Sequence, residues 1–365
     1  MKKIICNIAT LGSGGAEHQM VELIRMLCKK GYEVELLNRI KTEDHYDLSC
    51  NIKRHYLNVK GGNVRLFVKY FLFFITHRCD TIISFEQREN AYMLPAFFLI
   101  PRKKTRVICS ERNLTYGNPS QIEKLLLRLL YKRADYIVPN SYSQKKHIEE
   151  LAPNLSSKLV TITNYTDLTK YVPHKETNSK GNEAIKIGIF CRYNPQKNYD
   201  RFAQSVAILK QQIRLPFLID WYGNMEKGQN PYYQEFSRLC VDLGISDVLH
   251  LHDAVRNVES VMPYYNAICV PSIYEGFCNS IAEAICCGLP VLAGDVSDNS
   301  VMVKDSQNGY LFDPHDVNSM TLALKKFIEL PTQEVTLMGQ KSRSLAEKLF
   351  DANDFINKYI QLIEG

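Results

Sequence analysis

The chain has 365 residues, of which 45% are hydrophobic and 23% are charged, with a formal net charge of +6. This composition is that of a soluble globular protein, the length favours two domains, and no apolar run reaches the roughly 20 residues of a membrane-spanning helix. Residues 1–170 hold 27 Lys and Arg against 16 Asp and Glu, so this half is predicted to meet an anionic partner.

The eleven cysteines are scattered, without a C-x-x-C pair or a Cys/His cluster at zinc-ligand spacing. This usage indicates reduced core residues in a reducing cytoplasm and predicts neither a disulfide framework nor a metal site. Residues 1–15 run from a short apolar stretch into a glycine turn, so they are interpreted as a first strand and not as a signal peptide.

The first predicted strand, residues 2–11, leads into the sequence Gly-Ser-Gly-Gly-Ala-Glu at residues 12–17. That turn opens an amphipathic helix, which Gly31 ends, and residues 32–40 form the next strand. The pattern is typical of a Rossmann unit, but Glu17 stands where the third glycine of G-x-G-x-x-G belongs. A nicotinamide cofactor is therefore not expected.

Residues 63–78 are aromatic, apolar and flanked by cations, and two interpretations stay open for them. One is an interfacial helix that inserts apolar side chains below lipid headgroups. The other is a helix buried in a Rossmann core. The neighbouring basic residues favour contact with an anionic membrane surface; they are Arg65, Lys69, Arg78, Arg102, Lys103, Lys104, Arg106, Lys132 and Arg133.

Further strands are predicted at residues 81–85, 107–109, 135–139 and 159–162, with a helix at 142–151 capped by Asn140 and Ser141. The strand at 107–109 runs into Ser-Glu-Arg-Asn. Because polar residues at the carboxyl ends of parallel strands point into a ligand crevice, Glu111 and Arg112 are candidate binding residues.

A polar stretch at residues 173–184 reads as a linker between two domains, residues 1–172 and 185–350. The second domain begins with a strand at 185–191 and a helix at 199–213. The loop between them carries Arg192 and Lys197, fixed cations of the type that stabilises a leaving diphosphate. Later strands are predicted at 217–222 and 248–251.

Residues 271–295 predict a strand, a loop, a short helix from Asn279, a turn and a second strand. Asn279 and Ser280 are good capping residues. The helix start favours phosphate, Glu283 suits ribose hydroxyls, and Glu275 in the loop suits sugar hydroxyls. Together these features predict a nucleotide-sugar site.

The pattern E-G-F-x-N-x-x-x-E-A-x-x-x-G-x-P-V in this stretch resembles the signature of family 4 retaining glycosyltransferases. The resemblance covers nearly the whole chain and is strongest over residues 185–314, where Gly-Tyr-Leu-Phe-Asp-Pro is a further signature. It implies an α/β protein of the GT-B type, with two Rossmann-like, doubly wound domains facing a cleft. It also implies that a last helix, about 351–365, packs back on the first domain.

By this resemblance the chain moves a sugar from a nucleotide-sugar, with UDP preferred, to a polysaccharide repeat or a polyprenyl-diphosphate-linked saccharide, as in capsule or O-antigen synthesis. It does so with retention and without a metal or other cofactor. The expected location is cytoplasmic, on the inner face of the bacterial membrane, and nucleic acid is not an expected partner.

The resemblance also assigns roles to individual residues. The catalytic group is Glu275, Arg192 and Lys197. The donor-binding group is Glu283, Gly276, Phe277, Cys278, Asn279, Ser280, Gly14 and Gly15. The acceptor-side group is Glu17, Glu111 and Arg112. The family usually has glycine at two positions where this chain has Cys191 and Asn198.

Two other functions remain open from the sequence. A UDP-sugar 2-epimerase uses the same architecture but needs no acceptor. A non-catalytic subunit of a polysaccharide assembly complex is expected to lack Glu275, Glu283 or Lys197, and this chain has all three.

Overall fold

A computed structural model describes residues 2–12, 14–60, 64–100, 104–112, 128–174 and 184–365. The chain divides into two compact units, the first made of Met1–Tyr165 with Ala352–Gly365 and the second of Thr166–Asp351. Each unit contains a six-stranded sheet whose named strand pairs are all parallel. The predicted α/β class with two Rossmann-like sheets is confirmed.

The sheet of the first unit has the order β3-β2-β1-β4-β5-β6. Its strands are β1 Lys3–Ile8, β2 Glu33–Asn38, β3 Lys53–Tyr56, β4 Thr81–Phe85, β5 Arg106–Glu111 and β6 Tyr136–Pro139. The helices are α1 Gly15–Lys29, α2 Val64–Thr76, α3 Gln87–Phe98 and α4 Tyr142–Leu151. Two buried clusters, one on each face of the sheet, form the core.

The predicted strand at 159–162 is wrong. After a short 3₁₀ helix, Pro153–Lys158, Leu159 makes an isolated parallel bridge to Ile137. The Val160 and Ile162 amides donate to the carbonyls of Ile137 and Pro139 at 3.0 and 3.2 Å, but no continuous ladder forms, because Pro139 has no N–H group to donate in return. The predicted cap of α4 is confirmed, since the Ser141 hydroxyl accepts a hydrogen bond from the Gln144 amide at 3.1 Å.

The second sheet has the order β12-β11-β10-β7-β8-β9. Its strands are β7 Ile185–Phe190, β8 Phe217–Gly223, β9 Leu249–Asp253, β10 Ala267–Val270, β11 Val291–Gly294 and β12 Gly309–Phe312. The helices are α5 Tyr199–Gln212, α6 Pro231–Asp242, α7 Asn279–Cys286, α8 Asn299–Met302, α9 Val317–Ile328 and α10 Thr332–Leu349.

Read from β9, the second sheet repeats the 3-2-1-4-5-6 order of the first. In such sheets the strand order reverses direction next to the first strand, and ligands bind beyond the carboxyl ends of the strands at that point. The reversal lies between β1 and β4 in the first unit and between β7 and β10 in the second. The fold therefore designates one candidate binding edge in each unit.

The last helix, α11 Ala352–Glu364, belongs to the first unit. Its side chains Phe355, Tyr359 and Ile363 are buried in the same cluster as strands β1 and β2. Residues 166–172, which the sequence assigned to the first domain, lie in the second unit instead. They are held there because the Arg343 guanidinium donates to the carbonyls of Leu168 and Tyr171. Of the predicted linker, residues 175–183 lie outside the described residues, as do Ser13, Arg102, Lys103 and Asn113.

Candidate functional site

Two loops meet at the carboxyl ends of β7 and β10, where the second sheet reverses its strand order. One loop is residues 191–198 and the other is 271–278. They are joined by two hydrogen bonds: the Ile273 amide donates to the Gln196 carbonyl at 3.0 Å, and the Gln196 side chain donates to the Tyr274 carbonyl at 2.9 Å. This geometry fixes the predicted catalytic residues of the two loops relative to each other.

Lys197 and Glu275, predicted from separate motifs, form an ion pair across the two loops. Their Nζ and Oε1 atoms lie 2.5 Å apart, and their side chains are 12% and 9% exposed. Burial alone would lower the pKa of Lys197, but the charge and hydrogen bond of Glu275 outweigh burial and raise it. Lys197 is therefore a permanent cation at the binding edge of the sheet.

Asn198 explains how this loop does without the glycine that the family usually has there. Its backbone adopts the left-handed conformation, with φ 61° and ψ 35°, which asparagine tolerates better than most residues. Its buried side chain donates to the carbonyls of Pro271 at 3.1 Å and Pro314 at 2.7 Å. Asparagine at this position thus keeps the turn and adds two hydrogen bonds, to the segments that follow β10 and β12.

The loop before α7 carries the predicted phosphate-binding amides. The structure corrects the predicted cap: the N-cap residue is Cys278, which makes no side-chain cap hydrogen bond. Asn279 and Ser280 lie inside the first turn, and the Ser280 hydroxyl donates to the Phe190 carbonyl at 2.7 Å. Gly276 and Phe277 precede the cap and are only half-buried. This helix start therefore remains suited to an anion.

Glu283 lies on α7 and has different partners from Glu275. Burial of its carboxyl group raises its pKa to about 7, although a hydrogen bond from the Tyr171 hydroxyl and the charge of Lys170 act in the opposite direction. Tyr171 is a functional candidate that the sequence did not suggest. It comes from the segment before the linker, and no local motif marks it.

Ser297 is a second contact that sequence reasoning missed. Its hydroxyl donates to the Glu275 carbonyl at 2.5 Å and lies 3.4 Å from the Glu275 amide, so it fixes the backbone of the loop at residues 271–278. Arg192, in contrast, is exposed, and no ion-pair partner is found for it among the described residues. The second predicted cation is therefore available to a ligand.

Each of these two loops contains one cysteine, Cys191 or Cys278, and burial favours the neutral thiol form of both. Burial raises the pKa of Cys191 to about 12 and raises the pKa of Cys278 as well. Because the thiolate is the reactive form of cysteine, neither residue is suited to act as a nucleophile.

The binding edge of the first unit contains Gly14, Gly15 and Glu17. Gly14 is the N-cap of α1, and a Cβ atom placed on it would lie 2.1 Å from a Glu17 carboxylate oxygen.

Glu86, directly after β4, is a residue of this edge that the sequence did not predict. Burial, followed by the charge of Glu17, raises the pKa of Glu86 to about 7. Its φ of 76° is unusual for a residue with a side chain.

Glu111 and Arg112 are buried in the first unit, 6% and 5% exposed. Burial raises the pKa of Glu111 to about 8. The Arg112 guanidinium donates to Asn164 Oδ1 at 2.6 Å and to the Tyr359 hydroxyl at 2.8 Å. These contacts tie strand β5 to α11, and contact of either residue with an acceptor stays a prediction.

The sequence of this chain is similar to one family model and to known enzymes. Residues 173–345 match the family model described as glycosyl transferases group 1. The chain is 26% identical over 352 residues to N-acetylgalactosamine-N,N'-diacetylbacillosaminyl-diphospho-undecaprenol 4-alpha-N-acetylgalactosaminyltransferase of Campylobacter jejuni, covering 90% of this chain and 91% of that protein. It is 25% identical over 178 residues to UDP-Gal:alpha-D-GlcNAc-diphosphoundecaprenol alpha-1,3-galactosyltransferase of Escherichia coli, covering 46% and 44% of the two chains.

Solved structures show the same fold. Anabaena HepE in complex with UDP and glucose superposes with a TM-score of 0.81 at 18% identity, covering 99% of both chains. Sucrose-phosphate synthase of Thermosynechococcus elongatus superposes with a TM-score of 0.82 at 15% identity, covering 99% of this chain and 98% of the other.

Proposed function

Since the chain is a glycosyltransferase of the GT-B type, with residues 173–345 matching the group 1 family, we propose that it transfers a sugar from a UDP-sugar to a polyprenyl-diphosphate-linked saccharide. The observation that carries the proposal is the Lys197–Glu275 pair at the strand-order reversal of the second sheet. The product belongs to a bacterial surface polysaccharide such as an O-antigen or a capsule.

The pair can hold both parts of a nucleotide-sugar. An ammonium group has three N–H donors, so Lys197 can keep its bond to Glu275 and still donate to a diphosphate oxygen. The Glu275 carboxylate has further lone pairs for sugar hydroxyls. Arg192 adds a second cation from the same loop. In this proposal the two cations stabilise the leaving diphosphate, so transfer needs no metal ion.

Retention follows if the acceptor attacks from the face that the diphosphate leaves. The bond between the anomeric carbon and the diphosphate oxygen breaks, and a bond to the acceptor oxygen forms on the same side. The acceptor hydroxyl gives its proton to the departing diphosphate oxygen. No protein nucleophile is required, in keeping with the neutral thiols beside the site.

A thermal-shift screen without added metal tests the donor. UDP is expected to raise the unfolding midpoint more than GDP or ADP, since a ligand that binds only the folded form stabilises it by mass action. One UDP-sugar should also produce a shift.

The variant Glu283→Gln tests the role of Glu283 in UDP binding, because glutamine keeps the shape of the glutamate side chain but not its charge. The ratio of wild-type to Glu283→Gln affinity for UDP should rise as the pH increases through about 7, where the Glu283 carboxyl ionises and accepts ribose hydroxyls. Absence of a shift with every nucleotide would contradict the proposed donor site. A ratio that stays constant with pH would contradict the role of Glu283.

The first unit offers a surface suited to a lipid-linked acceptor. Of α2, the side chains of Leu66, Tyr70, Phe73 and Phe74 are buried, so the core interpretation of this helix holds for one face. The opposite face is apolar and exposed at helical spacing; its members are Val64, Val68, Leu72 and Ile75. The buried face agrees with the core interpretation, and the exposed apolar face supports our proposal that the helix also meets lipid.

A neighbouring apolar groove is lined partly by Phe98, Leu99 and Leu129, which are about half exposed. The Arg133 guanidinium lies 3.6 Å from the centre of the Phe98 ring. Further exposed cations are Arg65 and Lys69 on α2, and Lys132 next to Arg133 in the sequence. Apolar side chains beside cations match an anionic lipid surface. None of the described helices has the length and hydropathy to cross a bilayer. We therefore propose peripheral binding at the inner face of the cytoplasmic membrane.

Flotation with phosphatidylglycerol-containing vesicles tests this surface. The protein is expected to bind them at low salt and to dissociate as salt is added. The double variant Val68→Ser/Leu72→Ser should bind about 10-fold more weakly, because two partly exposed apolar side chains no longer enter the lipid.

Val241→Ser/Leu322→Ser is the control, because these side chains of the second unit are 67% and 52% exposed. It should bind vesicles like the wild type. Equal loss in both double variants, or no binding by the wild type at low salt, would refute the assignment of the surface.

A further inference from the structure

Strands β8 and β9 place three metal-ligand side chains on one face of the second sheet. Asp220 of β8 is the register partner of His250 in β9. His252 lies two residues further along β9, and alternate residues of a strand share a face. All three side chains are partly exposed, so solvent reaches this part of the face.

The donor atoms of the three side chains converge. His252 Nε2 lies 2.7 Å from Asp220 Oδ1, and His250 Nδ1 lies 3.4 Å from the same oxygen. One ligand atom from each residue lies within 4.8 Å of the other two. Among the described residues, no other set of three His, Cys, Asp or Glu side chains is found to converge in this way. Neighbouring ligand atoms around a tetrahedral zinc ion are separated by about 3.3 Å, so small side-chain rotations suffice to enclose an ion.

A second layer of contacts orients the carboxylate and one imidazole. The Tyr265 hydroxyl donates to Asp220 Oδ2 at 3.0 Å and lies 2.9 Å from the Tyr222 hydroxyl. The Tyr222 ring stacks on His252 with centroids 4.7 Å apart. Hydrogen bonds and packing of this kind fix the ligands of metal sites and raise their affinity.

We propose that Asp220, His250 and His252 bind a divalent transition-metal ion of the zinc class, with solvent completing the coordination. Two imidazoles and one carboxylate suit zinc and its neighbours in the first transition row, whereas magnesium and calcium prefer oxygen ligands alone. The histidine side chains are 40% and 39% exposed and that of Asp220 is 17% exposed, so an ion can enter without unfolding of the strands.

The site shares no residue with the Lys197–Glu275 pair, so it stands independently of the proposed transfer reaction. An ion held between β8 and β9 joins the edge strand to its neighbour through side chains as well as through backbone hydrogen bonds. Its predicted effect is on the stability of the second unit.

Titration of the chelator-treated full chain with Zn²⁺, followed by calorimetry, tests the site. The wild type is expected to bind one Zn²⁺ at this site, and Asp220→Asn and His252→Asn are each expected to lose it. Tyr265→Phe should weaken binding about 10–100-fold through the lost hydrogen bond to the carboxylate.

Because cysteines also bind zinc, the test is the difference in the number of bound Zn²⁺ ions between each variant and the wild type. His315→Asn is the matched control, because it removes an exposed histidine of the same unit. The absorption spectrum with Co²⁺ should lack thiolate charge-transfer bands for the ion that these variants lose. If Asp220→Asn does not fold, His250→Asn and His252→Asn decide. Zinc binding that is unchanged in the histidine variants, or absent in the wild type, overturns the proposal.

Discussion

Replacing Lys197 with methionine is expected to lower turnover about 10²–10³-fold, the usual loss when one fixed charge or donor is removed from a developing negative charge. The reason is that Lys197 is a buried cation with a raised pKa, held at the loop where the diphosphate departs. Initial rates with the donor identified by the thermal-shift screen measure the effect. The affinity for uridine alone should change little.

The same substitution also leaves the Glu275 carboxylate buried without its partner, which typically destabilises a protein by about 3–5 kcal/mol. A double variant, Lys197→Met/Glu275→Leu, removes both charges and is expected to regain most of the stability but none of the activity. Chemical denaturation and rates measured on all three proteins separate the two effects. A folded Lys197→Met protein with wild-type turnover would refute the catalytic assignment.

Replacing Arg112 with methionine is expected to destabilise the first unit by about 2–4 kcal/mol, because Asn164 and Tyr359 lose buried hydrogen-bond partners. The guanidinium also lies 3.9 Å from the centre of the Phe85 ring. Hydrogen exchange should become faster in α11 and β5, while the strands of the second unit keep their protection.

Arg133→Met serves as the control, since this arginine of the same unit lies over Phe98 but is exposed. It is expected to cost less than about 1 kcal/mol. If Arg112→Met kept wild-type protection and lost only transfer to the acceptor, Arg112 would be an acceptor contact, as the sequence first suggested, and not a structural tie.

The fold was largely predictable because parallel strands buried on both faces appear as short apolar runs between loops. The edge strand β3 has the sequence Lys-Arg-His-Tyr and shows no such run. Only its pairing with β2 makes it a strand. Conversely, residues 159–162 have the apolar pattern of a strand, but they form only one bridge to β6, because Pro139 of β6 has no N–H group to continue the ladder. Local composition cannot report either outcome, since both depend on tertiary neighbours.

The site was predictable where one loop carries the chemistry. Glu275 and Lys197 were found from their own loops. Tyr171 and Ser297 were missed because each reaches the site from a distant segment without a motif of its own. His250 and His252 show a visible spacing of two, but Asp220 lies 30 residues earlier, and only the register of β8 against β9 brings the carboxylate to them.

The position of α11 bears on the order in which the protein is made. During synthesis, residues 1–165 emerge from the ribosome long before Phe355, Tyr359 and Ile363, which complete the core of the first unit, have been added to the chain. Until then the nascent first unit exposes apolar surface, and Arg112 lacks the Tyr359 hydroxyl. The second unit, by contrast, is continuous in sequence and has all its strands by residue 312. Folding during synthesis therefore finishes with the unit that began first, and a chain truncated by its last 14 residues is a natural substrate for chaperones and proteases.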